Sequence, residues 1–467
     1  MEKIEDQAPK EHKKNWREVY SSVDEIKDFL ANRIFLRHNV ITRRVEYRLA
    51  SSFTQDFMPY WQPIEDRVVN SLWTKMCRIK PTRVQDIFRV IESDYVPDFN
   101  PFTDYLEHLP PWDGCNNILV LSASVRVKGG VKKQELFYKY LRKWLVAMVA
   151  AWVDPNEVNH EILVFIGDQG IYKTTWFQYL LPPQLRDYFY TKTNANRMGR
   201  DDLLTLAQYG LVCCEELDTM RPAELNQLKA AVTMQSIDER AAYARYHEHR
   251  NHIASFCGTG NNIQFLNDLT GNRRWLPFEV DFIENPRTTP IDYEAVFSEA
   301  YALYQKEDFH HWLNYNEMEQ LSVHNETFEA TQQELELIRQ TFRLPGPGEK
   351  GEFITRTGIM QAIGWNPALH LDVNKIGPAM KKLGFERKRT SSERGYVVCR
   401  YNEMEKCERK WAMAEIAKDE DDPESDNNDT GDTVFIESFA YTCYFYLRGT
   451  REKLRNSCHM CHHCHQQ

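Results

Sequence analysis

The sequence predicts an α/β fold, and three short apolar runs predict it. Residues 161–166, 211–214 and 253–261 have the length and the apolar content of buried strands. Segments with helical periodicity lie between them, among them residues 200–206 and 221–234. Because buried strands that alternate with helices are typical of α/β proteins, we expect the largest domain to belong to this class.

The first run leads into a phosphate-binding loop. Residues 167–174 follow the pattern Gly-x-x-x-x-Gly-Lys-[Ser/Thr], with Tyr172 in place of the second glycine. A strand, such a loop and a helix, in this order, present backbone N–H groups to a phosphate. Lys173 would reach the β- and γ-phosphates of ATP, and Thr174 would hold Mg²⁺. The predicted nucleotide-binding residues are Gly167, Asp168, Gln169, Gly170, Ile171, Tyr172, Lys173, Thr174 and Thr175.

The second and third runs end in polar residues that suit the same site. Glu215 and Glu216 follow residues 211–214 in a Walker B pattern. In that pattern Glu215 holds the metal through its water shell, and Glu216 polarises the attacking water. Adjacent carboxylates alone also suit a solvated turn, but the phosphate loop upstream favours the catalytic interpretation. Asn261 ends the third run, where an amide can contact the γ-phosphate.

Two segments rich in arginine follow the Walker B pattern. Arg273 and Arg274 stand directly before a predicted strand, where one of them could stabilise the γ-phosphate in cis or from a neighbouring subunit. The alternative is that they pair with surface acids such as Asp268. Residues 237–250 interleave Arg, Tyr and His, which suits a channel for single-stranded DNA and equally an ordinary surface strand pair. The candidate nucleic-acid-binding residues are Arg240, Tyr243, Arg245, Tyr246 and Arg250.

Stretches rich in proline and glycine divide the chain. Prolines and a turn within residues 100–114 mark one boundary, and residues 345–348 form a linker. The predicted parts are a helical or mixed N-terminal domain (1–99), the α/β domain (100–344), a winged-helix-type domain (345–402), and an acidic disordered linker with a Cys/His-rich tail (403–467).

The N-terminal part is expected to be mainly helical. Ser22 and Glu25 form a capping box before a helix predicted over residues 25–34, and residues 40–49 predict a hairpin. The basic residues near this hairpin suit contact with nucleic acid, although a solvated face is the more usual role of such residues. They are Arg37, Arg43, Arg44 and Arg48.

The C-terminal part combines two predicted helices with a hairpin. Residues 357–363 and 372–383 predict the helices, and residues 385–401 predict the hairpin. Upstream, residues 317–343 are expected to be helical. The basic residues beside the second helix suit DNA or a protein partner, and a structural cap on the α/β domain is an equally good interpretation. They are Lys381, Lys382, Arg387, Lys388 and Arg389.

The last residues carry closely spaced cysteines and histidines. Cys458, Cys461 and Cys464 have a spacing that can bind Zn²⁺. No second half-site lies nearby to close a structural site, although Cys443 could contribute a ligand. The alternative to a Zn²⁺ site is a flexible tail.

Composition narrows the class of protein and its compartment. The 467 residues carry a net charge of −10, which argues against binding of nucleic acid by bulk positive charge but leaves room for local basic surfaces. No apolar run approaches the roughly 18 residues that a membrane span needs, so no membrane is expected as a partner. The charged N-terminus lacks the apolar core of a secretory signal, and the cysteines are scattered. A cytoplasmic location with reduced thiols is expected.

Several of these motifs, taken in order, resemble the virulence-associated protein E family. They are residues 101–106, 109–114, 167–174, 215–218, 240–245, 258–261 and 270–274. That family is similar to superfamily 3 helicases and to the helicase parts of phage and plasmid primase–helicases. The resemblance covers roughly residues 100–280, and the segment after Pro345 is similar to a winged-helix-type extension found on some members.

The resemblance implies a P-loop ATPase with an AAA+-like fold, encoded by a mobile element or prophage. It also implies a homo-oligomeric ring, for which a hexamer is one candidate size. Two features depart from the family. Tyr172 occupies a position that is usually glycine, and the segment Thr259-Gly-Asn261 differs from the usual one but keeps the amide. No Asp-x-Asp primase signature is present in residues 1–99, so a separate primase is a candidate partner.

Together these observations predict an ATP-dependent helicase-like ATPase that acts on single-stranded or forked DNA. Its catalytic residues would be Lys173, Glu215, Glu216, Asn261, and Arg273 or Arg274. The alternative is a nucleotide-responsive DNA-binding or interference factor in which Tyr172 has weakened hydrolysis.

Overall fold

The computed structural model describes residues 20–50, 60–193, 200–239, 248–266, 272–329, 333–364, 371–389, 393–402 and 404–405. These residues form two compact units that divide between His108 and Leu109. Both units mix helices and strands, and the sheet of the larger unit is mainly parallel. In the part of the chain that is described, no helix has the length and apolar character to cross a membrane.

The first unit packs three helices against one face of a four-stranded sheet. Its helices are α1 (Val23–Ala31), α2 (Asp66–Cys77), α3 (Val84–Ile91) and α4 (Pro101–Glu107), and its strands are β1 (Ile34–Asn39), β2 (Arg44–Leu49), β3 (Gln62–Pro63) and β4 (Asp98–Phe99). The strand order is β3-β2-β1-β4. The core of this unit consists of side chains from α1, α2 and α3, of Ile34, and of inward-facing residues of β1 and β2.

The start of α1 agrees with the sequence, and its end does not. The predicted capping box is present, since Ser22 Oγ accepts from the N–H of Glu25 and Glu25 Oε2 accepts from the N–H of Ser22. The predicted helix over residues 25–34 ends at Ala31, however, because Ile34 starts β1 and pairs with Leu49. Cross-strand pairing fixes this β-branched residue in the sheet.

The second unit is built on a six-stranded sheet of order β5-β12-β6-β11-β8-β7. These strands are β5 (Val125–Val127), β6 (Ile162–Ile166), β7 (Phe189–Lys192), β8 (Leu211–Cys214), β11 (Ser255–Gly260) and β12 (Trp275–Ile283), while β9 (Ser236–Glu239) and β10 (Glu248–Asn251) form a separate antiparallel pair. Within the six, β5 runs antiparallel to β12 and the other neighbours are parallel. All residues of β6, β8 and β11 are buried, as the sequence predicted.

Helices cover this sheet. They are α5 (Asn117–Ala123), α6 (Gly130–Val153), α7 (Lys173–Leu180), α8 (Arg200–Gln208), α9 (Pro222–Val232), α10 (Tyr293–Tyr304) and α11 (Tyr315–Asn325). The long helix α6 is anchored to the sheet by Trp144, whose Nε1 lies 3.1 Å from Glu161 O and 3.2 Å from Phe256 O. The adjacent strands β6 and β11 are therefore tied to one side chain.

The last described part of this unit adds a small sheet and three helices. They comprise α12 (Gln333–Thr341), β13 (Phe342–Arg343), β14 (Glu352–Thr355), α13 (Arg356–Ala362), α14 (Val373–Lys382), β15 (Arg387–Arg389) and β16 (Arg394–Arg400). Their shared core contains Ile338 and Phe342, and β13 pairs with β16. This core therefore begins before residues 345–348, the linker at which the sequence placed the domain boundary.

The helix expected over residues 317–343 is interrupted. It consists of α11 and α12 with a 3₁₀ turn at Glu326–Phe328. Asn325 is fully buried at the end of α11 and donates through Nδ2 to Asn272 O at 2.8 Å and to Trp275 O at 3.1 Å. These bonds fix the end of α11 against β12, and tertiary contacts thereby override helical periodicity.

Candidate functional site

Three strands deliver the predicted site residues to one edge of the parallel sheet. Strand β11 pairs with β6 on one side and with β8 on the other. Since parallel strands end at the same edge, the loop after β6, the carboxylates after β8 and Asn261 after β11 lie together. The order of the strands, which the sequence does not reveal, produces this convergence.

The loop after β6 is tightly built. A Cβ atom at Gly167 would lie 2.5 Å from Val280 O, so only glycine fits at this approach to β12. Gly167 N donates to Gly260 O at 3.2 Å, which ties the loop to β11. At the other end, α7 is held by Phe177, whose ring stacks on Phe165 with centroids 4.5 Å apart. The loop is thus fixed at both ends by the sheet.

Lys173 begins α7 and turns back under the loop. Its Nζ donates to Gly167 O at 2.5 Å, to Asp168 O at 2.6 Å and to Asn261 Oδ1 at 3.3 Å. Burial lowers the pKa of Lys173, and the charges of Asp168 and Asp218 oppose that shift. The amine and Asn261, both predicted for the site, are therefore in direct contact.

Thr174 and Glu215, which the sequence predicts as magnesium ligands, are in direct contact. Thr174 Oγ1 donates to Glu215 Oε1 at 2.9 Å. Hydroxyl and carboxylate oxygens are the ligands that Mg²⁺ prefers, so this pair has the composition of a magnesium site. The neighbouring Glu216 is exposed, and its backbone is left-handed with φ of 54°. Its carboxylate stands at the surface of the same edge.

Asp218 is a further residue of this edge, for which the sequence motifs predicted no role. Its Oδ2 accepts from the N–H of Asn261 at 3.2 Å and of Asn262 at 3.0 Å. Among the described residues, its Oδ1 is a buried oxygen with no hydrogen-bond partner. The signal was available, because Asp218 is the third carboxylate of the stretch Glu215-Glu-Leu-Asp218.

Tyr172 occupies a backbone position that suits glycine. Its φ is 68°, in the left-handed region that residues with a Cβ rarely adopt. The side chain is 40% exposed, so it does not contribute to the core. The left-handed backbone therefore explains why the loop pattern has glycine at this position. Tyr172 adopts the same turn at a cost in conformational free energy.

Arg273 and Arg274 lie at the opposite edge of the sheet. They end a 3₁₀ turn directly before β12, whose first residue, Trp275, pairs with the first residue of β6. The positive charge of Arg274 acts on Glu161, which lies just before β6. Burial raises the pKa of the Glu161 carboxyl to about 7, and the charges of Lys143 and Arg274 oppose that shift. This placement at the far edge favours a role between chains over the cis role considered from the sequence.

The remaining predicted residues are only partly within the described chain. Arg240, Tyr243, Arg245 and Tyr246 lie outside the described residues, as do Cys458, Cys461 and Cys464 of the tail. Arg250 is in β10 and is buried. The described part of the chain contains no cluster of three or more His, Cys, Asp or Glu side chains that could hold a metal.

The chain matches a known protein family over part of its length. A family model described as a virulence-associated protein E-like domain matches residues 106–330. This segment contains β6, β8, β11 and every residue of the edge described above. No curated protein matches the chain significantly.

Comparison with solved structures finds distant similarities. An apo structure of the NrS-1 C-terminal region (305–718) is 12% identical and covers 80% of this chain and 98% of that chain, with a TM-score of 0.42. An A form apo structure of this region is 14% identical and covers 65% and 66%, with a TM-score of 0.34. A further A form apo structure is 13% identical and covers 80% and 98%, with a TM-score of 0.40. These TM-scores are too low to establish a shared fold.

Proposed function

Because residues 106–330 match a family model described as a virulence-associated protein E-like domain, we propose that the protein is an ATP hydrolase with an AAA+-like P-loop core. It would act as a DNA helicase in the replication of a mobile element or prophage. The observation that carries the proposal is the meeting of Lys173, the Thr174–Glu215 pair and Asn261 at one sheet edge.

The residues at this edge fit a nucleotide with its metal. The amine of Lys173 would bind the β- and γ-phosphates, and the N–H groups of the loop and of α7 would face the same anion. Thr174 and Glu215 would hold Mg²⁺, directly or through water, and the ion would neutralise phosphate charge during transfer. Asn261 contacts the amine of Lys173. When a nucleotide is bound, Asn261 would contact the γ-phosphate instead of this amine. Glu216 would orient the attacking water.

The position of Arg273 and Arg274 supports an oligomer in which one subunit completes the site of the next. An arginine that stabilises charge on the γ-phosphate in hydrolysis can come from a neighbouring chain. Head-to-tail contacts that close give a ring, as the sequence resemblance implied. In such a ring the edge of β12 with its arginines would face the loop of the adjacent subunit.

DNA would be the partner of this ring, with a separate primase as a further candidate. Arg240, Tyr243, Arg245 and Tyr246 remain candidates for a channel, whereas the burial of Arg250 leaves it little contact area for DNA. Strand β15 adds three exposed basic residues in a row, Arg387, Lys388 and Arg389. With α14 beside it, this strand suits the phosphates of duplex DNA in the manner of a winged helix.

Replacing Lys173 tests the proposal. Lys173→Ala should abolish ATP hydrolysis with an unchanged circular dichroism spectrum, because no other described side chain brings a positive charge to the loop carbonyls. Lys132→Ala, at an exposed lysine of α6, is the matched control and should hydrolyse ATP at the normal rate. Unchanged hydrolysis in Lys173→Ala would overturn the assignment.

A second function is favoured by the strained backbone of Tyr172. In that case the protein would be a nucleotide-responsive DNA-binding or interference factor with weak hydrolysis. ATP turnover measured with and without single-stranded DNA separates the two functions. Stimulated turnover supports the helicase, and tight DNA binding without turnover supports the factor. A large gain in rate in Tyr172→Gly would show that this side chain limits the enzyme.

A further inference from the structure

The outward face of the sheet in the first unit carries an unusual set of side chains. The register of β1 and β2 places Phe35 opposite Arg48, Arg37 opposite Glu46, and Asn39 opposite Arg44. Residues alternate between faces along a strand, so these six share one face. The other face packs against α1, α2 and α3. Helices α1, α2 and α3 therefore do not cover the outward face, on which Phe35 and Arg44 are exposed and Asn39 is buried.

Aromatic rings and guanidinium groups alternate across this face. The guanidinium of Arg48 lies 5.2 Å from the ring of Phe35 and 5.2 Å from that of Trp61. The guanidinium of Arg37 lies 4.3 Å from the ring of Trp61 and 3.6 Å from that of Phe99. We call the row Phe35, Arg48, Trp61, Arg37 and Phe99 the aromatic–arginine ladder. Its planar groups hold one another in place through cation–π contacts.

One end of the ladder is open to solvent. Phe35 is 48% exposed, although a phenylalanine normally lies in a core. A flat, exposed ring held beside an arginine offers a stacking surface that the fold itself does not use. Bases of a single strand have such a flat surface, whereas those of a duplex are already stacked.

The charge of the face is positive. Glu46 is occupied by Arg37, at 2.7 Å, and by Asn39, also at 2.7 Å. Arg44 is exposed, and within the described chain Arg43, Arg44 and Arg48 form no ion pair with a carboxylate. Arg48 lies opposite the exposed ring of Phe35, and Arg44 lies opposite Asn39, about 13 Å further along the strand pair, with Arg43 in the turn beyond it. Positive charge beside a stacking surface is what binding of a phosphate-linked strand of bases requires.

We propose that the aromatic–arginine ladder, with Arg43 and Arg44, binds single-stranded nucleic acid. A base stacks on Phe35, Arg48 opposite the ring contacts the adjoining phosphate, and Arg43 and Arg44 contact phosphates further along the bound strand. This site lies in residues 20–108, outside the segment matched by the family model beyond residue 106. It is independent of the nucleotide site, so it holds even if the chain does not hydrolyse ATP.

Fluorescence anisotropy of the full-length protein with labelled oligo(dT), without nucleotide, tests this site. Phe35→Ala removes the stacking surface and Arg48→Glu puts a negative charge beside it, so each should weaken binding by about tenfold or more. The matched control is Arg67→Glu, an exposed arginine on α2 with the same change of charge. It should bind as the unchanged protein does.

Further variants and a second oligonucleotide distinguish base stacking from binding by charge alone. Phe35→Trp should retain binding and Phe35→Leu should lose it, because both keep an apolar side chain and only one keeps a flat ring. Oligo(U) in place of oligo(dT) tells whether the sugar matters, and binding of either supports the proposal. Equal losses in Arg48→Glu and Arg67→Glu, or an Arg48→Glu variant that changes only the oligomeric state, would overturn it. Lys173→Ala should bind oligo(dT) normally, which separates this outcome from failure of the ATPase.

Discussion

The backbone of Tyr172 is left-handed, a conformation that costs a residue with a Cβ about 1–2 kcal/mol. Glycine adopts it without that cost but loses more entropy on folding. Tyr172→Gly should therefore raise the free energy of unfolding by about 0.5–1 kcal/mol, measured by urea denaturation. Tyr172→Ala is the control, because it removes the phenol and keeps the strain. Equal effects of the two substitutions would show that the side chain, rather than the backbone, carries the cost.

Asp218 holds the segment that carries Asn261, so its removal should loosen the site. Asp218→Ala removes the acceptor of the N–H groups of Asn261 and Asn262, and because both residues are exposed, water replaces it and the free energy of unfolding should fall by only about 1 kcal/mol. We expect ATP hydrolysis to fall at least tenfold, because the amide of Asn261 would lose its position. Asp281→Ala, at a carboxylate on the surface of β12 that pairs with Arg126, should leave both stability and rate unchanged. A full rate in Asp218→Ala would contradict the positioning role.

At the scale of elements, His324 joins α11 to β12 and α6. Its Nε2 donates to Pro277 O at 2.6 Å, and its Nδ1 accepts from Lys133 Nζ at 2.7 Å, which requires a neutral ring. Burial lowers the pKa of His324 to about 4. Between the ordinary value near 6.5 and pH 4, the unfolded chain binds a proton that the folded chain does not. Stability is therefore lost as pH falls, by about 3 kcal/mol over this range.

The variant His324→Gln tests this pH dependence. It should be less stable at neutral pH, since the bonds to Pro277 and Lys133 are weakened. Its free energy of unfolding should fall less steeply between pH 6.5 and 4, because no buried ring has to be protonated. His310→Gln, at an exposed histidine, should show the slope of the unchanged protein. Parallel slopes for His324→Gln and the unchanged protein would assign the acid sensitivity elsewhere.

The same scale shows what could be predicted from the sequence. Strands β6, β8 and β11 were found because each is a buried apolar run that ends in a polar or glycine residue. The break between α11 and α12 was missed, because it depends on Asn325 reaching the backbone of Trp275. The sequence also did not predict at which sheet edge Arg273 and Arg274 lie, because that depends on which strand pairs with β6. Local pattern thus specified the elements, and strand order specified which side chains meet.

At the scale of the whole molecule, the two edges of the parallel sheet carry complementary parts of the proposed site. Lys173→Ala lacks the loop amine, and the double variant Arg273→Ala/Arg274→Ala lacks the arginines. Each alone should be inactive, while an equal mixture should regain activity at about a quarter of its subunit contacts if chains assort at random. Nucleotide binding by the double variant, measured by anisotropy of a labelled ATP analogue, should be normal and so exclude misfolding. A mixture with no activity would show that the arginines do not act between chains.

Because Arg274 lies at the sheet edge opposite the loop of its own chain, ATP hydrolysis is also expected to depend on protein concentration. If every working site combines two molecules, the turnover of each molecule falls as the protein is diluted below the concentration at which copies associate. Newly made chains would then hydrolyse little ATP until enough of them had accumulated to meet. Because the two arginines lie at the far end of a strand, the rate of ATP hydrolysis per molecule would rise with the amount of protein present.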